Sequence, residues 1–275
     1  MTIPLLDLDP PIIMPAVQVE PSGLDAVFAL TDDQRERYSR QIQLTDFGEL
    51  GQHKLAQSTV LITGVGGLGG TVALYLAAAG VGKLVLARGG TLRLDDLNRQ
   101  VLMRHDGVGE LRVLQAAESL RRFNPDTLVE PIAEYVTADN VAGLVAGATV
   151  VVDATHNFEE RYWLNDACVQ ARIPMVESAM DGMEAQLTTI LPGTTACLRC
   201  RSATPPPWDR RNFGVLGAVS GALACLTALE VIKLITGCGP ILSGTLARFD
   251  LAELTLRKLP LLRQSDCPCC GALAP

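Results

Sequence analysis

Short apolar runs rich in β-branched residues alternate along this chain with longer stretches in which apolar positions recur at helical spacing. Residues 58–63 (Ser-Thr-Val-Leu-Ile-Thr), 83–87, 149–153 and 174–177 have the continuous apolar character of strands covered on both faces. Between them lie an alanine-rich helix ending near Ala79, a helix over 109–123 that stops before Asn124-Pro125, and a helix over 159–171. A further helix starts at Thr31, where Thr31-Asp32-Asp33-Gln34 has the spacing of a capping box. Strands alternating with helices predict an α/β fold with a doubly wound, mainly parallel, Rossmann-like sheet. Residues 186–191 and 244–258 read as later strands running antiparallel.

The pattern divides the chain in three. Residues 1–30, proline-rich and aperiodic, read as an N-terminal arm. Residues 31–180 form a helical lead-in and a nucleotide-binding half. Residues 181–275 hold a crossover, a long apolar helix, antiparallel strands and a cysteine-bearing tail. That helix, Leu216 to Ile235, approaches the length of a bilayer span and contains Gly217-x-x-x-Gly221. Ser220, Thr227, Glu230 and Lys233 interrupt it, so a buried or interface helix is the expectation, with no membrane.

Composition sharpens this only in places. The formal net charge of −7 supplies no basic surplus for a nucleic-acid partner. The eight cysteines follow no signal-peptide pattern, since residues 1–20 hold four prolines and no basic start. A cytoplasmic, reducing setting is therefore expected, with paired cysteines serving metal. Cys197-x-x-Cys200 and Cys267-x-x-Cys270 form two knuckles, the ligand set of a closed Zn²⁺ site, with Cys269 as a spare thiol. A redox dithiol is disfavoured because neither pair is expected to open a helix directly after a strand, where such motifs sit.

Gly64-Val65-Gly66-Gly67-Leu68-Gly69 directly follows the first strand and opens a helix. Gly64 makes the turn, Gly66 lets a phosphate approach the backbone, and Gly69 lets helix and strand pack. Helix N-terminal amides then hold anionic oxygen. At the end of the second strand, where a dinucleotide enzyme carries a ribose-binding acid, stands Arg88; an arginine there suits a 2′-phosphate, so an NADP-linked oxidoreductase is one alternative. His156 lies at a strand's carboxyl end and reads as a ligand contact, a proton carrier or a soft-metal ligand. His53 and His105 sit among polar neighbours and read as surface residues.

Arg37-Tyr-Ser-Arg40-Gln-Ile, the glycine loop, Asp96-Leu97-Asn98-Arg99-Gln100 and the two cysteine pairs together resemble the ThiF/MoeB/HesA family of E1-like adenylating proteins, over roughly residues 34–271. Residues 88–96 and 208–217 are most similar to the HesA branch, which is associated with nitrogen fixation. The resemblance implies an E1-like fold with a zinc-bound C-terminal portion, and ATP as nucleotide, with Mg²⁺ as its usual companion. It also implies a homodimer and activation of a carboxylate on a ubiquitin-like sulfur carrier or a cofactor-assembly protein. By motif, Arg99 and Gln100 contact phosphate and loop, Arg40 serves the neighbouring subunit's site, and Arg112 replaces the phosphate lysine. Three departures stand out. The ribose acid falls on Arg88, a second loop acid falls on Gly90, and the aspartate of the family's Asp-Cys-Thr-Asp-Asn motif falls on His156 in Asp153-Ala-Thr-His156-Asn157. Carboxylates are the natural ligands of Mg²⁺, leaving Asp95, Asp96 and Asp153 as substitutes. A loop cysteine of some relatives falls near Arg210, and Cys168, Cys225 and Cys238 read as inert packing. A non-catalytic nucleotide-binding scaffold is therefore a second alternative.

Overall fold

The chain enters the fold through a capped helix: Thr31 Oγ1 accepts from Gln34 N at 3.2 Å and Gln34 Oε1 from Thr31 N at 3.1 Å, the reciprocal pair the sequence predicts. In the computed structural model, residues 30–206 and 214–273 are described. Most of the expected arm and the loop position Arg210 lie outside them. Three short helices, α1 (Asp32–Arg37), α2 (Ser39–Ile42) and α3 (Gly48–Gln57), lead to β1 (Thr59–Thr63). Then come α4 (Gly67–Ala79), β2 (Lys83–Ala87), α5 (Arg112–Phe123), β3 (Leu128–Ile132), α6 (Val141–Val145), β4 (Val150–Asp153) and α7 (Phe158–Ala171). The remainder is β5 (Met175–Asp181), β6 (Glu184–Ile190), α8 (Leu198–Arg201), α9 (Gly217–Thr236), β7 (Thr245–Asp250) and β8 (Thr255–Pro260).

All eight strands form one sheet in the order β3-β2-β1-β4-β5-β6-β7-β8. Pairing is parallel from β3 to β5 and antiparallel beyond it, the mixed α/β architecture expected. Successive side chains point to opposite faces, so each buried strand feeds two cores. Val60, Ile62, Val150 and Val152 pack with α4, α5 and α9. Leu61 and Val151 pack with α6, α7 and the cysteine knuckles.

Two elements differ from the reading of the sequence. β3 was not anticipated because Pro131 interrupts its apolar run; it survives as an edge strand, where a missing N–H is tolerated. The expected strand over 244–258 is a hairpin, turning where Leu254 takes φ 54°. α9 is apolar and long enough to cross a membrane by length and composition alone, but Val219, Leu223, Ala224, Thr227, Ala228, Glu230 and Val231 are buried in the fold. Glu230 explains the charge inside it: its carboxylate accepts from Thr189 Oγ1 (2.8 Å) and Leu242 N and pairs with Lys233 (2.6 Å), fastening the helix to β6 and its neighbour.

Candidate functional site

From β1 the chain winds to β2 on one side and later to β4 on the other, so the carboxyl ends of β1 and β4 diverge and leave a crevice, the usual ligand position of such sheets. A cavity of about 900 Å³ opens there. Its floor is the glycine loop. Gly64 has φ 134°, and a Cβ on it would lie 2.4 Å from Ala154 O; one on Gly69 would lie 2.1 Å from Gly64 O. Side chains are thus excluded where β1 and α4 meet the β4 loop. Gly66 caps α4 with no side-chain bond, leaving first-turn amides facing an anion-binding position. Gln100 lines the same cavity and is 3% exposed, yet its Oε1 has no hydrogen-bond partner. A buried acceptor without a partner is costly, and a ligand hydrogen-bond donor would satisfy it.

Cationic groups ring this floor, ordered by one buried carboxylate. Asp96 Oδ1 accepts from Arg99 Nη2 at 3.0 Å, Oδ2 from Arg93 N at 3.1 Å, and Arg112 Nη1 stands 3.9 Å away. Arg112 opens α5 and donates to Gly89 O at 3.1 Å. Arg93, Arg161, Arg201 and Arg248 also reach the cavity wall. The arrangement suits a polyanion with several charged groups.

At the end of β2, Arg88 folds into the wall. Nη1 lies 3.4 Å from Glu160 Oε2, Nη2 lies 2.8 Å from His156 Nδ1, and the guanidinium sits 4.9 Å from the Tyr135 ring centre. Burial lowers the pKa of Arg88, with Glu160 opposing that shift. His156 lines the cavity and is exposed. Asp153 stands behind the wall, fully buried: Oδ1 accepts from Thr155 N (3.0 Å) and Oγ1 (2.6 Å), and Oδ2 pairs with Arg161 Nε at 3.0 Å. That pair is an ionic contact rather than an aligned hydrogen bond, since Oδ2 has no hydrogen-bond partner. Burial pushes the carboxyl above its ordinary range against the pull of Arg161. Arg161 also reaches Glu177 Oε1 at 2.5 Å, forming a buried acid–arginine–acid bridge between β4, α7 and β5.

The cysteine pairs meet in the core that β4 shares with α6 and α7. All four sulfurs lie within 4.8 Å of one another, with Cys197–Cys267 at 3.7 Å and Cys200–Cys270 at 3.4 Å. Tetrahedral Zn–S bonds of about 2.3 Å require sulfurs about 3.8 Å apart, so the four thiols fit such an ion. Burial pushes the Cys200 thiol up to about 12, which a bound cation would reverse. At Cys267 burial also opposes ionisation, but hydrogen bonds from the Cys270 and Cys269 amides bring it down to about 7. Cys197 caps the four-residue α8, but a turn over residues 191–196 separates it from β6, so it does not open a helix directly after a strand. Cys269 is only half-buried, its Sγ 3.6 Å from Asn165 Nδ2.

The model of the ThiF family matches residues 38–269. The chain belongs to the ThiF family. It is 59% identical over 246 residues to the heterocyst HesA protein of Trichormus variabilis, covering 90% of this chain and 92% of that one. It is 40% identical over 247 residues to the SAMP-activating enzyme E1 of Haloferax volcanii, covering 88% and 91%. Among solved structures, E. coli MccB with ATP superposes with a TM-score of 0.75 at 26% identity, over 86% of this chain and 74% of that one.

Against this ThiF-family frame, Gly64, Gly66, Gly67, Gly69, Arg88, Asp96, Arg99, Gln100, Arg112 and His156 all reach one cavity. Asp153 does not line it, and Arg40 lies exposed on α2 outside it. Among the described residues, no group of three carboxylates gathers there to hold Mg²⁺. Asp95 is paired with Arg93 (3.0 Å), Asp96 with Arg99, and Glu184 with Arg248 (2.5 Å), while Asp181 sits at the far end of β5. Among the described residues, only the four cysteines bring three or more metal-ligating groups together. Sequence reasoning missed Glu160, Tyr135 and Arg161, which orient the wall. Glu160 left a trace, three residues after Asn157, the helix-capping spacing their mutual bonds confirm.

Proposed function

We propose that this ThiF-family chain binds ATP in the crevice and activates a carboxylate of a sulfur carrier or cofactor-assembly partner. It would act in the cytoplasm, in metallocofactor or sulfur metabolism linked to nitrogen fixation. The carrying observation is the glycine-loop floor faced by Arg99 and Arg112, both held in place by Asp96. In the proposed reaction a carboxylate oxygen bonds to the α-phosphorus as the bond to the bridging oxygen breaks, giving an acyl-adenylate and pyrophosphate. The loop amides hold the phosphates, Arg99 and Arg112 oppose the charge that develops on them, and Arg40 arrives from a second copy. Zn²⁺ on Cys197, Cys200, Cys267 and Cys270 ties the C-terminal segment to the domain, as a structural ion.

The arginine-paired acids favour a second reading, a nucleotide-binding scaffold with little turnover. Metal-assisted neutralisation commonly contributes several kcal/mol, on the order of a thousandfold in rate or more. ATP titration and pyrophosphate exchange, each with and without Mg²⁺ and a candidate carrier, separate the readings. Binding with weak Mg²⁺ dependence and carrier-dependent exchange is expected; binding without exchange under any condition supports the scaffold. Failure to bind ATP defeats both. The NADP alternative is weakened by Arg88, whose two terminal nitrogens are already engaged, and preferential binding of NADP over ATP would revive it.

A further inference from the structure

Arg88 and His156 stand at the carboxyl ends of different strands, β2 and β4, and meet at 2.8 Å between Nη2 and Nδ1. A guanidinium donates hydrogen bonds and never accepts them, so Nδ1 is the acceptor. The single proton of the neutral ring then resides on Nε2. Arg88 has little room to move. It is 9% exposed, held by Glu160 and stacked on Tyr135. Glu160 is itself fixed: Oε1 accepts from Asn157 Nδ2 at 2.5 Å, and its amide donates to Asn157 Oδ1 at 2.8 Å. The relay runs Asn157–Glu160–Arg88–His156, with three buried members and an exposed imidazole at its cavity end.

We propose that Arg88 is a positioning residue that locks His156 in the Nε2–H tautomer, so that this wall offers a neutral hydrogen-bond donor to a phosphate oxygen of the bound nucleotide. The proposal deepens the nucleotide-binding reading and rests on it. A ring with Nδ1 covered by a guanidinium and a proton on Nε2 has no lone pair left for a metal. The relay therefore assigns a donor to the place where a carboxylate would recruit one. Its chemistry suits an anionic acceptor and is independent of Mg²⁺.

Long-range ¹H–¹⁵N correlation spectra of the full-length protein at pH 8, where histidine is ordinarily neutral, read the tautomer directly. His53 and His105 serve as internal references, and His156→Asn assigns the third signal. The expected spectrum shows His156 with its proton on Nε2, and Arg88→Met should let the Nδ1–H form appear. A His156 signal with the proton on Nδ1 in the unmodified protein overturns the proposal, whether or not Arg88→Met folds. In the presence of ATP the Nε2 signal should shift. His156→Phe, which has no donor, should lose about ten- to a hundredfold in ATP affinity, the worth of one hydrogen bond to a charged group. His156→Asn, which carries both an acceptor for Arg88 and a donor, should retain most of it. Unchanged affinity in His156→Phe also overturns the proposal. If ATP does not bind the unmodified protein, the nucleotide reading falls while the spectrum still decides the lock.

Discussion

At the scale of single residues, the cavity is built from neutralised pairs. Asp95, Asp96, Glu160 and Glu184 each have an arginine against them, and Arg88 stands at the end of β2, where the resemblance leads one to expect a ribose-binding acid. Reinstating acids one at a time should therefore fail. Gly90 has φ 85°, and a Cβ on it would lie 2.5 Å from Tyr135 Oη and 3.0 Å from Arg112 Nη2. Gly90→Asp is expected to lower unfolding free energy by about 1–3 kcal/mol in denaturant titrations, the usual cost of forcing a side chain into such a conformation. An Asp at 156 would sit within reach of Arg88 and pair with it. Gly90→Asp/His156→Asp should thus gain no Mg²⁺-dependent pyrophosphate exchange while Arg88 remains. A clear gain in that variant would show that Arg88 yields its partner to the metal.

At the scale of elements, the C-terminal knuckle is a clasp. The Cys267–Cys270 turn is tight: the Gly271 amide donates to Cys267 O at 2.9 Å, and a Cβ on Gly271 would lie 2.5 Å from Ser265 O. Around it Arg263 donates to Cys270 O at 2.6 Å, and Gln264 N donates to Cys200 Sγ at 3.5 Å. These contacts alone are few, so metal should hold the segment against α7 and α8. Cys200→Ser is expected to release about one Zn²⁺ per chain and to lower the melting temperature, because metal affinity is part of folding free energy. Elemental analysis with thermal melting reads both; a protein purified without metal and equally stable would remove zinc from the account.

For the whole molecule, α9 connects packing to assembly. One face is buried, but Ala218, Ala222, Cys225 and Leu229, spaced four, three and four apart, are exposed in a single apolar stripe. Tyr75 on the neighbouring α4 is 50% exposed. Apolar surface of this kind is costly in water and is expected to be covered by a second copy. Arg40, outside its own chain's cavity, would then be free to serve the other's. The unmodified protein is expected to dimerise in sedimentation velocity, and Leu229→Arg to stay monomeric and weaken ATP binding through loss of Arg40. A monomeric unmodified protein at micromolar concentration would exclude this arrangement.

The alternation of apolar runs, the glycine spacing after β1 and the paired cysteines were legible in the sequence because each is a local rule. A buried parallel strand needs continuous apolar residues, a turn against a neighbouring strand excludes Cβ, and a tetrahedral ion needs thiols in knuckles. The capping box at Thr31 was legible for the same reason. What only the tertiary structure decided involves residues far apart in the chain. Arg88 and His156 are 68 positions apart and Arg88 and Glu160 are 72, yet they meet because β2, β4 and α7 end on one side of a twisted sheet. Asp153 was expected, with Asp95 and Asp96, as a substitute carboxylate for Mg²⁺ beside the nucleotide. The fold turns it toward Arg161, because a carboxylate that deep is stable only beside a fixed cation. Sequence order lists the charges of this site; the sheet's topology determines which of them neutralise each other.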